Sequence, residues 1–362
     1  MMSLVNLPSR IILCRVVQVE GLLLQIAACE SQVSLLHVVN YNQLFSFCGL
    51  ATALQKGGAT MKATIPILLD GGMGQEIVNR GGKGDYGKWA SGALYEAPEL
   101  VSAIHRDYID AGADIITANT YGTTRTRLRY IGIEDQFTPL LQTASDLANA
   151  AREAANRDIQ IAASLPPLEA SYVNSFALSF EEATAEFAEM MTVLATGVDI
   201  FLGETFSTGF EARAFLKAAQ GRGKPIWLAL TLDDHQPEQL RGGEKLADVI
   251  ASLPELPDAL LLNCCKPATI SQALPILQAS GAPFGAYANG FTGIPDDWVD
   301  VGGVAQLTAR EDMSPEGYAR DVAGWIDTGA SIVGGCCETG PAHIQRLREL
   351  IDGRNGTAEA KL

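Results

Sequence analysis

From Ile65 onward one local pattern recurs eight times. A short run of branched or aliphatic residues closes on a polar residue, and a longer amphipathic stretch follows. The runs are Ile67–Asp70, Asp114–Asn119, Ile159–Ser164, Asp199–Glu204, Pro225–Thr231, Ala259–Cys264, Pro283–Asn289 and Ala330–Cys336. Apolar runs of this length are strands buried on both faces, and their alternation with helix-length segments specifies βα units and a parallel sheet. Eight such units predict an α/β fold, a single-domain (β/α)8 TIM barrel. An open doubly wound sheet is the runner-up, and it ordinarily needs fewer strands and a topological switch point.

The intervening segments carry helix signals. Pro98–Ile109 opens on proline and keeps apolar residues three and four apart, Phe180–Val193 does the same without the proline, and Ala111–Asp114 reads as a helix stop. In a barrel the strand C-termini form the active-site face. The residues predicted there are Asp70, Asn119, Ser164, Glu204, Thr231, Cys264, Asn289 and the pair Cys336-Cys337. Capping of the next helix accounts for single polar strand ends. Nine together at eight strand ends, three of them cysteine, point to a functional mouth.

Residues 1–60 do not share this pattern and are expected to be an N-terminal extension, with the barrel at 61–362. The extension holds three basic and two acidic residues, so 23 bases and 40 acids belong to the rest. The stretch Ser31–Gln55 is uncharged, but Gln32, His37, Asn40, Asn42 and Gln43 interrupt it too often for a membrane span. No secretory leader is recognisable, so a cytoplasmic location is expected. Lys56–Thr60 can be encoded by a purine-rich run at ribosome-binding distance from Met61. The expectation is that translation starts at Met61 and that the preceding residues are non-native or disordered. The formal charge of −16 excludes nucleic acid and anionic membranes as main partners, since both require a basic footprint.

The cysteines say more by position than by number. Of seven, three (Cys14, Cys29, Cys48) precede Met61, and the others form the pairs Cys264-Cys265 and Cys336-Cys337. Thiolates favour zinc, and a catalytic zinc keeps three protein ligands with one position open. Adjacent residues on a regular strand face opposite ways, so Cys336 and Cys337 can share a metal only where the strand breaks, a freedom that Gly334-Gly335 supplies. Small buried thiols without a metal are the plainer alternative.

Gly334-Gly335-Cys336-Cys337 followed by Pro341-Ala342-His343-Ile344 resembles the C-terminal signature of the zinc-dependent homocysteine S-methyltransferases. Asn263-Cys264 resembles that family's first cysteine motif, and Leu69–Gly74 its N-terminal strand. Asn119-Thr120-Tyr121, Gly203-Glu204-Thr205 and Tyr287-Ala288-Asn289 follow in the family's order. Leu261 stands where the family usually has glycine, and Cys265 adds a second thiol, so the choice of Cys264 rests on the resemblance.

The resemblance implies a homocysteine S-methyltransferase serving methionine synthesis, with Zn2+ on Cys264, Cys336 and Cys337. A coordinated thiol is deprotonated, so bound homocysteine would attack the methyl of an onium donor without a general base. It further implies that Glu204 receives the homocysteine ammonium. Asp70, Gly71, Gly72, Asn119 and Thr120 would help to place the amino-acid moiety, the glycines by letting backbone N–H groups approach a carboxylate. Asn289 is read either as a donor-pocket group or as a buried brace. Trp89, Tyr95 and Tyr121 are the candidate aromatic faces for an onium cation. The chain ends soon after Cys337, which favours S-methylmethionine over betaine-type donors. The glycine-rich segment Gly81–Lys88 lacks Walker spacing and reads as a loop over the donor site. His105 and His343 read as structural. The expected partners are therefore small molecules, homocysteine and its donor. A non-catalytic amino-acid-binding barrel with structural zinc or none is the alternative, and metal-dependent hydrolysis is a poorer one.

Overall fold

The structure is a computed structural model, and it describes residues 13–19, 22–29, 32–35, 65–82, 89–295 and 307–359. The chain divides into two compact units, Met1–Thr64 and Ile65–Leu362. In the first, strands Leu13–Val19, Leu22–Cys29 and Gln32–Leu35 form an antiparallel sheet in chain order.

The second unit holds the eight expected strands: β1 (Ile67–Leu68), β2 (Ile115–Ala118), β3 (Gln160–Leu165), β4 (Ile200–Phe206), β5 (Ile226–Leu230), β6 (Ala259–Asn263), β7 (Phe284–Tyr287) and β8 (Ile332–Val333). Each pairs in parallel with the next, and β8 returns to β1. The circle closes through a parallel bridge between Leu69 and Ile115, with Asp114 N–H donating to the Leu68 carbonyl at 2.7 Å. This is the predicted (β/α)8 barrel.

Period-2 alternation sorts the strand side chains into two cores. Leu69, Ile115, Ala162, Leu202, Trp227, Ala229, Leu261 and Ile332 cluster inside the barrel. Leu68, Ile116, Ala163, Phe201, Leu228, Leu260 and Leu262 face the helices. Leu261, the departure from the family pattern, is fully buried in that inner cluster, where its side chain fills the barrel.

Among the helices, α1 (Met73–Asn79), α2 (Trp89–Glu96), α3 (Pro98–Asp110) and α4 (Arg125–Tyr130) come before α5 (Phe137–Glu153) and α6 (Phe180–Leu194). Helix α3 starts on Pro98 and turns Val101, Ile104, His105 and Tyr108 inward, the spacing of one helical face. Helix α6 has a full capping box, Ser179 with Glu182. Then follow α7 (Gly209–Ala219), α8 (Leu246–Ala251), α9 (Pro267–Ala279), α10 (Pro315–Thr328) and α11 (Pro341–Glu359).

Strands β1 and β8 are shorter than their apolar runs. Both leave the sheet where their glycine pairs begin, and there the two ends of the barrel sequence are stitched together. Gly335 N–H donates to the Asp70 carbonyl at 2.9 Å, and Gly72 N–H to the Thr339 carbonyl at 3.0 Å. A Cβ on Gly71 would lie 2.1 Å from the Thr339 oxygen, and one on Gly72 2.6 Å from the Cys336 oxygen. Glycine is needed here for backbone-to-backbone approach. At the opposite rim, Asp114, Asp199 and Asp258 sit just before β2, β4 and β6. Each accepts the first free N–H of a neighbouring strand, from Leu68, Ile161 and Ile226, at 2.7–2.9 Å. No helix among the described residues is long and apolar enough to cross a membrane.

Candidate active site

Three sulfurs converge at the C-terminal face. Cys264, Cys336 and Cys337 place their Sγ atoms all within 4.8 Å of one another, with Cys336 3.1 Å from Cys264. Backbone breaks make this possible. Cys264 has φ 54°, a left-handed conformation that turns it off the end of β6, and Glu338 has φ 63° just after the second pair. Asn289 Nδ2 donates to the Cys264 carbonyl at 2.8 Å, and Cys336 N–H donates to the Ala288 carbonyl at 3.0 Å, so β7 braces both cysteine loops. Cys265 points away into the core between barrel and helices, where burial pushes its thiol well up. The geometry therefore separates the two neighbouring thiols that sequence alone left open.

The donor set fits a tetrahedral soft cation. Ideal Zn–S bonds of about 2.3 Å set S···S edges of about 3.8 Å, inside the span these sulfurs occupy. Tyr172, in the loop after β3, brings its hydroxyl to 2.9 Å from Cys264 Sγ and has φ 67°. It was not anticipated. It follows a Pro-Pro loop with no periodicity, which left no signal for its side-chain direction.

Beside the thiols lie two buried carboxyls. Asp70 accepts from Thr117 N–H at 2.7 Å and Thr117 Oγ1 at 2.9 Å. Glu204 accepts from the Ser164 hydroxyl and, at 2.9 Å, from the Tyr287 hydroxyl. Burial pushes each up to about 7 against these hydrogen bonds, and the nearby Glu204 raises Asp70 further. No arginine or lysine pairs with either among the described residues. Glu204 is aimed by a bulge in β4: Thr205 has φ 63°, and the register with β5 shifts between Gly203 and Phe206. Asn263 clamps it, its Oδ1 accepting from Thr205 N–H and its Nδ2 donating to Thr205 Oγ1, both at 2.9 Å. The Asn-Cys motif thus holds the glutamate with one residue and places a thiol with the next.

These groups line one cleft that opens to solvent. Asp70, Gly71, Gly72, Asn119, Glu204 and the three cysteines face it, as do Tyr121 and Arg127. Thr120 and Asn289 do not: Thr120 Oγ1 donates to the Ser164 carbonyl at 2.6 Å, and Asn289 is the brace described above. Tyr95 is exposed and away from the cleft. The side chain of Trp89 and the loop residues 83–88 lie outside the described residues. His343 bridges Gly340 N–H and the Met313 carbonyl, and His105 is buried in the core.

A parallel barrel that brings three thiols together beside two buried carboxyls, neither paired with a cation among the described residues, is suited to metal-assisted chemistry on a small molecule. The sequence model of the homocysteine S-methyltransferase family matches residues 67–351, and the chain belongs to that family. The homocysteine S-methyltransferase of Escherichia coli (strain K12) is 30% identical over 305 residues, covering 78% of this chain and 94% of that protein. A selenocysteine Se-methyltransferase from Brassica oleracea var. italica is 27% identical, covering 79% and 89%. The crystal structure of the homocysteine methyltransferase MmuM from Escherichia coli, in its metallated form, superposes with a TM-score of 0.63 at 26% identity. It covers 83% of this chain and 99% of that one.

Proposed function

We propose that this enzyme moves a methyl group from a small onium donor to the homocysteine thiol, giving methionine, with zinc held by Cys264, Cys336 and Cys337. S-methylmethionine is the favoured donor and betaine-type donors are the alternative. The observation that carries the reading is the juxtaposition of three convergent sulfurs with two buried carboxyls that have no cation partner among the described residues. Bound at the sulfurs, zinc supplies the Lewis acidity that makes a thiol a thiolate at neutral pH.

The chain's own residues do the rest. Glu204 and Asp70 take the substrate ammonium, an arrangement that draws both carboxyls toward the ionised form. Tyr287 and Ser164 fix Glu204 so that the amino acid enters in one orientation. The cleft wall excludes water and holds acceptor sulfur and donor methyl in line. One S–C bond forms as the donor's onium–C bond breaks, the donor leaves as the neutral thioether or amine, and the thiol proton goes to solvent. The substrates are small molecules, and the need for reduced thiols suits a cytoplasmic setting.

The test measures metal content and methionine formation from homocysteine with each onium donor, for the wild type and Cys336→Ala. Zinc bound by the wild type, with turnover that the variant loses, is expected. Equal metal content and turnover in the variant would remove the assigned ligand role, and a zinc-loaded wild type inert with every donor would remove the activity.

A further inference from the structure

Strands β7 and β8 run together in parallel register, Gly285 beside Ile332 and Ala286 beside Val333. Continued by one step, that ladder would join the Ala288 N–H directly to the Gly334 carbonyl. Instead the hydroxyl of Tyr318, on α10, stands in this rung. It accepts from Ala288 N–H at 3.0 Å and donates to the Gly334 carbonyl at 2.6 Å. The ladder resumes one rung later, where Cys336 N–H reaches the Ala288 carbonyl at 3.0 Å. One side chain therefore spreads the two strands while leaving both peptide groups hydrogen-bonded.

The spread falls two residues before the thiol pair. A strand that stayed regular would send Cys336 and Cys337 to opposite faces, and only one sulfur would meet Cys264. The wedge is itself held firmly. Tyr318 is fully buried, its ring edge-on to Trp325 and His343 with centroids 5.9 and 6.2 Å away. A second buried tyrosine closes the far end of the loop. Tyr108, on α3, donates its hydroxyl at 3.1 Å to the carbonyl of Thr339, two residues after Cys337. Thr339 in turn donates its N–H to the Cys336 carbonyl at 3.2 Å. Hydroxyls from two helices thus bracket the thiol pair, and neither tyrosine lines the cleft.

Resting on the zinc ligand assignment proposed above, we propose that Tyr318 is a positioning residue for the metal centre. Its hydroxyl wedges β7 from β8 so that Cys336 and Cys337 converge on Cys264, and Tyr108 fixes the other end of the same loop. Each acts through the backbone, so its loss is read in the affinity and geometry of the metal before it is read in turnover.

The experiment compares the wild-type chain with Tyr318→Phe and Tyr108→Phe, and uses Ser271→Ala as the reference. Ser271 accepts from Trp325 Nε1 at 2.8 Å, so that variant costs α10 one hydrogen bond away from the cysteine loop. Zinc affinity is measured by competition with a chromophoric chelator, geometry by the absorption of the cobalt(II)-substituted protein, and stability by urea titration. None of these needs substrate. Tyr318→Phe should weaken zinc binding by roughly 10- to 100-fold and shift the cobalt bands. Tyr108→Phe should weaken it by less, because Gly72 N–H still holds the Thr339 carbonyl. Ser271→Ala should lose stability and keep its zinc affinity within about twofold. Tyrosine variants that lose stability as Ser271→Ala does, yet bind zinc like the wild type with unchanged cobalt bands, overturn the proposal. Equal loss of affinity in all three variants overturns it too, as a general effect of destabilisation. If Tyr318→Phe does not fold, Tyr108→Phe decides by the same criteria. A wild type whose thiols bind neither metal overturns the ligand assignment and the wedge together. A wild type that binds zinc, loses affinity on Tyr318→Phe and transfers no methyl supports the wedge and defeats the methyl transfer.

Discussion

The two rims of the barrel use the same side chain in opposite ways. At the N-terminal rim, Asp114, Asp199 and Asp258 remain partly in solvent and receive backbone N–H groups. Asp114 and Asp199 also pair with arginines, Arg348 at 2.6 Å and Arg152 at 2.9 Å. At the C-terminal rim, Asp70 and Glu204 are 3% and 8% exposed and, among the described residues, are met only by neutral donors, chiefly hydroxyls. The fold already pairs Asp114 and Asp199 with cations and leaves Asp258 in solvent. The C-terminal rim keeps its buried carboxyls without a cation partner among the described residues, which marks the rim where a ligand belongs.

That contrast can be broken at several points. The largest effect is expected for Cys336→Ala, which should lower kcat/KM by more than about 100-fold, beyond what losing a mere supporting partner costs. Cys265→Ala should retain full metal loading, measured by atomic absorption on the two purified variants. Next, Glu204→Gln should raise the homocysteine KM by roughly 10- to 100-fold through loss of a charged contact. The same variant should melt higher than wild type at pH 8, because its buried group no longer has to ionise. A lower melting temperature there would place Glu204 among the groups the fold needs charged.

Asp114→Ala should do the reverse, costing about 1–3 kcal/mol by urea titration while leaving kcat/KM unchanged. A loss of activity without loss of stability would erase the distinction between the rims.

The pH response follows from the sign of the shifts. The folded carboxyls of Asp70 and Glu204 hold their protons to about 7, against ordinary values of 3.8 and 4.5, and buried Glu211 holds its proton to about 8. The folded state therefore binds more protons than the unfolded one across that window. Stability from these groups is complete below about pH 4 and is lost as the pH rises through 7 to 8, by about 3 kcal/mol for Glu204 alone. Urea midpoints of the substrate-free protein at pH 6 and pH 8 measure it, and homocysteine should flatten the difference. The smallest effect is expected for Tyr287→Phe. Its hydroxyl holds the Glu204 carboxyl down, so its removal should move the acidic limb of the homocysteine kcat/KM profile to higher pH, and an unmoved limb would sever that link.

The barrel was legible because burial on both faces of β2 to β7 leaves long apolar runs, and because Pro98 and the Ser179–Glu182 box mark helix starts chemically. The strand-end residues were legible for the same reason, since the fold class alone says which end of each run faces the site. What could not be read was anything that depends on backbone leaving its regular path. The left-handed turn at Cys264 separates it from Cys265, and the Thr205 bulge sets the aim of Glu204. Neither follows from residue type, because cysteine and threonine carry no preference for that conformation. Thr120 and Asn289 share a motif with cleft residues but spend their polar atoms on neighbouring carbonyls. Tyr172 and Arg127 reach the cleft from loop and helix segments, whose direction only the assembled barrel determines.

The stitches between the first and last strands also constrain the order of assembly. Gly335 bonds to Asp70 and Gly72 to Thr339, so the thiol centre and the carboxyl site share a seam joining distant parts of the sequence. A nascent chain that has made seven strands already owns Cys264, Asp70 and Glu204, but it has no Cys336, no Cys337 and no closed wall. The three thiols can therefore converge only once the last strand has docked. Such wide sequence separation predicts slow closure, and an ion held by the three thiols would act as a latch on the closed ring.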